Sequence, residues 1–297
     1  MSLAALGMDG VPALDPLSYP GRTIDGPALL SGSQLFAMTP TARQSAEQQS
    51  TAQQYLGSWL VDGGATLDQM LDEAGGTAVG KRHPVIAVGS NAAPGQLHHK
   101  LSRLGLPAVV PMTTLRVSGL GVGVSAHVAR NGYVANSPFA DPGGEADVVL
   151  TLLDADQLQA VDATELPRYR RVLLSGADFP MMLPSGERLD AGYLYVNAEG
   201  VLADADGKPR LPGVQTALLA ELLQRSARLR QLFDSPQDWV TKARADSDVR
   251  DAVKRIFHES GWVLPQDALI RDVYEGSAPS ASAYDEISPL ASNHDRT

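Results

Sequence analysis

Cysteine does not occur in the 297 residues. Its absence removes disulfides, thiolate metal ligands and cysteine nucleophiles together, and fits a cytoplasmic protein. Aromatic residues are scarce, with three Trp and five Phe, and those few are assigned to packing. Long apolar runs are missing as well: no window approaches the ~18 consecutive apolar residues of a membrane span. Met1–Met8 has neither a basic start nor a long apolar core, so no signal peptide is expected. Positive charge is in deficit, since 24 Lys and Arg against 34 Asp and Glu leave −10. That balance argues against nucleic acid and acidic membranes as partners and favours solubility. What remains is an ordinary soluble composition, long enough to bury roughly 75% of its unfolded surface.

The chain divides into three parts. Residues 1–83 read as an arm followed by a helical preface. Residues 1–40, rich in Pro, Gly and Ser, have little periodicity and are expected to lie extended over the surface, without assigned chemistry. Ala52, Tyr55, Leu56, Trp59 and Leu60 then follow helical spacing, and Thr66 caps a second helix bearing Leu67, Met70 and Leu71. Residues 84–197 are rich in β character. Strands are expected at Ala108–Met112, with 113–117 as a continuation, at Val122–Val128, Asp147–Leu153, Tyr169–Leu174 and Asp190–Val196. Asn131–Ala146, with its Asn-Gly and Asp-Pro-Gly-Gly, reads as loop. Residues 198–297 are expected to hold an amphipathic helix over Val214–Phe233, another over Asp246–Ser260, and a loose tail from Gly276.

Two features of the middle part carry chemistry. Val85-Ile-Ala-Val-Gly-Ser-Asn91 is an apolar run that breaks into a turn ahead of a helix starting at Pro94. Such a turn aims consecutive backbone N–H groups, with Ser and Asn side chains, at one point that attracts a carboxylate or phosphate. The second feature is Glu165. Asp154 and Gln157 form a capping box that starts a helix, Pro167 stops it, and Leu158 and Val161 mark its apolar face. Glu165 continues that stripe and points inward from the last turn. Burial and the helix dipole would both raise its carboxyl toward the range of a general acid/base. An ion pair with Arg168, Arg170 or Arg171 would act in the opposite sense, and the pattern leaves both readings open. Asp162, one turn back, is expected to be more exposed.

Taken together, Val85-Ile-Ala-Val-Gly-Ser-Asn91, Leu158-Gln-Ala-Val-Asp-Ala-Thr-Glu165 and Tyr169-Arg-Arg-Val172 resemble the γ-glutamylcyclotransferase-like family over about residues 84–197. The resemblance implies an α+β fold built on a small, mixed, closed β-barrel, here flanked by N- and C-terminal helices. It implies an enzyme that cyclises γ-glutamyl groups to 5-oxoproline and releases an amine or amino acid. Carried onto this chain, Gly89, Ser90 and Asn91 hold the substrate's glutamyl end, Glu165 is the general acid/base, and Tyr169 lines the pocket. Val88 stands where the family has an aromatic residue, and Leu166 where a glycine usually follows the glutamate. The partner implied is a small molecule with a carboxylate, with no cofactor and no metal.

Other constellations are weaker. The glycines of Ser118–Ser125 follow GxGxG with no helix after them, so they read as strand bulges or close backbone approaches and not as a dinucleotide loop. Adjacent His98 and His99 diverge on a helix and do not suit one metal. Ser90 lacks the Gly-x-Ser-x-Gly turn of a serine nucleophile. Two other readings of the whole stay open: a non-catalytic small-molecule or protein-binding module on the same barrel, and an amide-cleaving relative acting on another small carboxylate.

Overall fold

In the computed structural model, residues 1–41, 55–166 and 168–269 are described. They contain twelve strands: β1 (Ala28–Ser31), β2 (Gln34–Thr39), β3 (Leu60–Val61), β4 (His83–Ala87), β5 (Val109–Val128), β6 (Val134–Leu153), β7 (Tyr169–Ser175), β8 (Met181–Met182), β9 (Arg188–Leu189), β10 (Ala191–Asn197), β11 (Val201–Leu202) and β12 (Val263–Leu264). The main path runs β3-β2-β1-β5-β6-β4-β10-β7, with β8 and β11 pairing to β5 beside it. β4 and β10 are parallel, and their neighbours antiparallel. The fold is therefore α+β with a mixed sheet, but the sheet is not closed: β3 and β7 stand at opposite ends of the path. A closed barrel needs those ends to meet, and here the N-terminal hairpin β1–β2 extends one edge along β5 instead.

Side chains alternate across this sheet, as strand geometry demands. Ile86, Leu115, Val117, Leu150, Leu152 and Leu194 enter a core on one face. Val85, Ala87, Val110, Met112, Val149 and Tyr195 enter another on the opposite face, covered by helices Pro94–Arg103 and Ala155–Glu165 through Leu97, Leu101, Leu158 and Val161. A third core joins the ends of β5 and β6 to helices Gln215–Arg225, Ala227–Leu232, Pro236–Ala245 and Ser247–Glu259.

Several expectations change. Of the segment read as loop between Asn131 and Ala146, residues 131–133 form the turn, and from Val134 on the chain belongs to the 20-residue strand β6. The residues of Asp141-Pro-Gly-Gly form a bulge within that strand. Ser118 pairs with Glu145 and Leu120 with Ala140, so Asp141–Gly144 stand opposite Gly119 alone. Gly119, at φ +80°, supplies the left-handed conformation this shift requires. The glycines nearby mark close approach, since a Cβ on Gly121 would lie 2.3 Å from the Phe139 ring. The expected single helix over Val214–Phe233 breaks at Ser226, whose hydroxyl caps the second piece by accepting from Leu229 N–H at 3.2 Å. Leu60, expected to be helical, lies in β3; residues 42–54 and the tail from Gly276 lie outside the described residues.

One buried cation fixes the helix that carries Glu165. The Arg82 guanidinium, fully buried, donates to the carbonyls of Thr77 (2.8 Å), Val109 (3.1 Å) and Leu152 (3.2 Å) and to Gln157 Oε1 (3.3 Å). Gln157 in turn closes the capping box with Asp154 and donates to the Pro107 carbonyl at 2.9 Å. The helix start is thereby tied to β5 and β6, which orients its far end.

Candidate functional site

β4 ends at Ala87, and the chain turns through Val88 and Gly89 into the 3₁₀ turn Ser90–Ala92 and then helix Pro94–Arg103. The C-terminal end of helix Ala155–Glu165 arrives beside this turn. Asn91 Nδ2 donates to Glu165 Oε1 at 3.0 Å, and Lys100 Nζ lies 3.1 Å from the same oxygen. Lys100 also donates to Asn91 Oδ1 and Thr164 Oγ1, each at 2.7 Å. The Glu165 side chain keeps 18% exposure. Its partner is thus a lysine from the helix after the turn, and none of the three arginines that the sequence offered.

Arg171 serves Asp162 instead. Its Nε lies 3.1 Å from Asp162 Oδ1, and the Tyr195 hydroxyl donates to the same oxygen at 2.6 Å. Asp162 is completely buried, which corrects the expectation that it is the more exposed of the two acids. Helical counting placed it off the stripe of Leu158 and Val161, but β7 and β10 cover that side as well.

Three further side chains gather at the turn, all from segments given no chemistry above, and Tyr169 stands nearby. Tyr19 comes from the N-terminal arm and is 5% exposed. Its hydroxyl oxygen accepts the backbone N–H of Asn136 at 2.7 Å and sits against Gly89, 2.5 Å from where a Cβ on that residue would stand. Its ring stacks on Tyr133 with centroids 4.2 Å apart. Asn136 Nδ2 donates to the Val88 carbonyl at 2.9 Å, while the Val88 side chain packs with the Ile86 core. Tyr169, at the start of β7, sets its ring edge-on to His127 at 5.6 Å. Burial raises the Tyr19, Tyr133 and Tyr169 phenols, and the Glu165 charge adds to the effect at each. All three are neutral hydrogen-bonding groups near pH 7.

Behind Tyr169, His127 Nδ1 contacts Asn197 Nδ2 at 2.9 Å and the Ser125 hydroxyl. Burial, with Arg168 and Lys254 nearby, pushes its imidazole down to about 3. Among the described residues no group of His, Asp and Glu comes together as metal ligands, and no helix is long and apolar enough to cross a membrane.

No protein-family model matches the chain, and no curated protein does. Solved structures are similar to it. They include a solution structure from Arabidopsis thaliana at 18% identity, covering 49% of this chain and 85% of that one, with a TM-score of 0.33. A gamma-glutamyl cyclotransferase is similar at 12% identity over 58% of this chain and 98% of its own, with a TM-score of 0.33. An uncharacterized protein from Homo sapiens is similar at 12% identity over 59% and 99%, also at 0.33. At this degree of similarity the architecture rests on the pairings and packing of the chain itself.

The site residues named from sequence therefore fall as follows. Gly89, Ser90, Asn91 and Glu165 lie together, and the Val88 carbonyl joins them. Tyr169 approaches from β7. Lys100, Tyr19, Tyr133 and Asn136 escaped the sequence reading. A tyrosine alone in a Pro- and Gly-rich arm is the one signal that could have marked Tyr19. Tyr133 and Asn136 were hidden in a stretch whose turn residues suggested loop.

Proposed function

We propose that this chain is a γ-glutamylcyclotransferase-like enzyme acting on a small molecule that carries a carboxylate. One juxtaposition supports the reading: Asn91, in the anion-holding turn, is hydrogen-bonded to Glu165 at 3.0 Å, so a carboxylate holder and a proton carrier stand side by side. In this mechanism Gly89, Ser90 and Asn91 hold the glutamyl end, and Tyr169 lines the pocket. Glu165 takes a proton from the substrate's α-ammonium. The freed amine attacks the γ-carbonyl carbon, and a new C–N bond closes the five-membered ring. Glu165 then returns the proton to the leaving nitrogen as the old γ-C–N bond breaks, and the second proton of the attacking nitrogen passes to the released amine, which departs as an ammonium. The products are 5-oxoproline and an amine, and one carboxylate carries the proton both ways without a cofactor. Asn91 and Lys100 fix the direction in which that carboxylate faces, which is what an intramolecular attack requires.

A second reading, a non-catalytic binding module, draws on a different observation: the Tyr19 hydroxyl already sits against Gly89 of the turn. An amide-cleaving relative acting on another small carboxylate would use the same groups. The deciding experiment incubates the protein with a panel of γ-glutamyl amines and peptides, up to their solubility, and follows 5-oxoproline by mass spectrometry. Release that disappears in Glu165→Gln while the melting temperature holds is the expected result. Turnover retained in Glu165→Gln removes the assignment, and ligand stabilisation without turnover favours the binding module.

A further inference from the structure

The N-terminal arm is a strap fixed at both ends. At its start, Met1 N donates to the Leu35 carbonyl at 2.7 Å and Leu3 N to the Ser33 carbonyl at 2.8 Å. At its end, β1 is paired on both sides, to β2 and β5. Between these anchors the chain crosses helix Pro94–Arg103 and the Gly89–Asn91 turn without entering the sheet. Its seat is uneven. Ala13 N donates to Gln96 Oε1 at 3.0 Å, and an open groove of about 460 Å³ runs beside it, lined by Asp9 and Val11 on the strap and by His98 and Arg103 on the helix. The deep anchor is Tyr19, with its ring stacked on Tyr133 and its hydroxyl oxygen on the Asn136 amide and against Gly89.

An oxygen that receives the Asn136 N–H and rests against Gly89 of the turn stands where a bound carboxylate would place one of its own. The same space and the same donor cannot serve a ligand and Tyr19 at once. We propose that Tyr19 is an internal occupant of the carboxylate seat, so that the strap is autoinhibitory and a small carboxylate must displace the Tyr19 hydroxyl from the Asn136 amide and from the face of Gly89. This rests on the carboxylate-holding role proposed for the Gly89–Asn91 turn. Ligand affinity is then lowered by the fraction of molecules in which the seat is taken.

The test titrates the full chain with 5-oxoproline by calorimetry and by NMR, in wild type, Tyr19→Phe and Tyr19→Ala. Tyr19→Phe keeps the stacked ring and removes only the competing oxygen, so it guards against a variant that merely fails to fold. The expected result is affinity raised about tenfold in Tyr19→Phe, the scale of a surrendered hydrogen bond. In wild type, the Ser90 and Asn136 amide signals should shift together with those of the Tyr19 ring. Affinity unchanged or weakened in both variants overturns the proposal, as does binding that leaves the Tyr19 ring signals in place. Turnover measured on the same samples separates the two claims. Tighter binding without 5-oxoproline release keeps the strap and removes the cyclotransferase reading. Release by wild type with unaltered affinity in the variants does the reverse, and no binding by any form overturns both.

Discussion

The Tyr19 hydroxyl fills the space in which a side chain on Gly89 would begin: a Cβ built there lies 2.5 Å from that oxygen and 3.6 Å from the ring carbon bearing it. Gly89 has φ −128°, so the requirement is room and not an unusual backbone conformation. The ring is stacked on Tyr133 and has little slack with which to yield. Gly89→Ala should therefore push the hydroxyl off the Asn136 amide at a cost of about 1–2 kcal/mol. Thermal unfolding should show a lower midpoint, and the Tyr19 ring resonances should change. An unaltered midpoint with unaltered resonances would contradict this packing.

Gly95 offers a sharper test of the strap, because the sign of the effect decides. It lies in the first turn of helix Pro94–Arg103, where alanine is favoured over glycine by up to about 1 kcal/mol. A Cβ there, however, would lie 2.5 Å from the Met8 carbonyl oxygen and 2.8 Å from that of Gly10. Those are backbone atoms and cannot turn aside as a side chain can. Gly95→Ala should lift the strap, lower the melting temperature and admit protease cleavage between residues 7 and 27. A more stable, protease-resistant variant would mean the strap does not rest on this helix.

Much of the scaffold around the site is legible in local sequence signals. The capping box of Asp154 and Gln157, the apolar β4 and the break into Gly89-Ser90-Asn91 each depend on residues within a few positions of one another. That is why the helix Ala155–Glu165 appears with its expected start and end. The misreadings around the site are long-range. Asp141-Pro-Gly-Gly carries real turn chemistry, but whether turn residues end a strand or bulge within it is settled by the partner, here Gly119 on β5. Lys100 and Glu165 are 65 positions apart, and neither announces the other. Asp162 shows the limit of helical counting: a helix face is buried by whatever packs on it, and β7 and β10 cover a side that the apolar stripe does not mark.

Asp162 and Glu165, a turn apart, should respond differently to substitution. Asp162 is buried with Arg171 and the Tyr195 hydroxyl. Asp162→Ala leaves a guanidinium buried without its counter-charge and should cost about 3–5 kcal/mol. Tyr195→Phe, which removes one hydrogen bond to a charged oxygen, should cost about 1.5–3 kcal/mol. Glu165→Gln keeps an oxygen acceptor for Asn91 and Lys100 and should change stability by less than about 1 kcal/mol. Urea unfolding of the three variants checks the order. A Glu165→Gln loss as large as that of Asp162→Ala would make Glu165 a structural residue.

His127 gives the fold a pH dependence whose direction is fixed. In the unfolded chain its imidazole takes a proton near pH 6.5, whereas in the folded protein burial first, then Arg168 and Lys254, hold it down to about 3. Asn197 Nδ2 donates toward Nδ1 at 2.9 Å, the Ser125 hydroxyl contacts the same nitrogen, and the Tyr169 ring covers the group edge-on. Between those two pH values the unfolded state binds the proton and the folded state does not. Stability should therefore rise with pH across the window, by up to about 1.4 kcal/mol per unit from this one group. Above 6.5 both states are neutral at His127, and its contribution is flat. Carboxylates titrate in the lower part of the same window, so the informative quantity is the difference between wild type and His127→Gln. Urea midpoints measured from pH 4 to pH 8 should fall more steeply on acidification in wild type, with the two slopes converging above pH 6.5. Equal slopes throughout would mean that the buried imidazole takes up its proton without unfolding, against the neutral Ser125–His127–Asn197 cluster behind Tyr169.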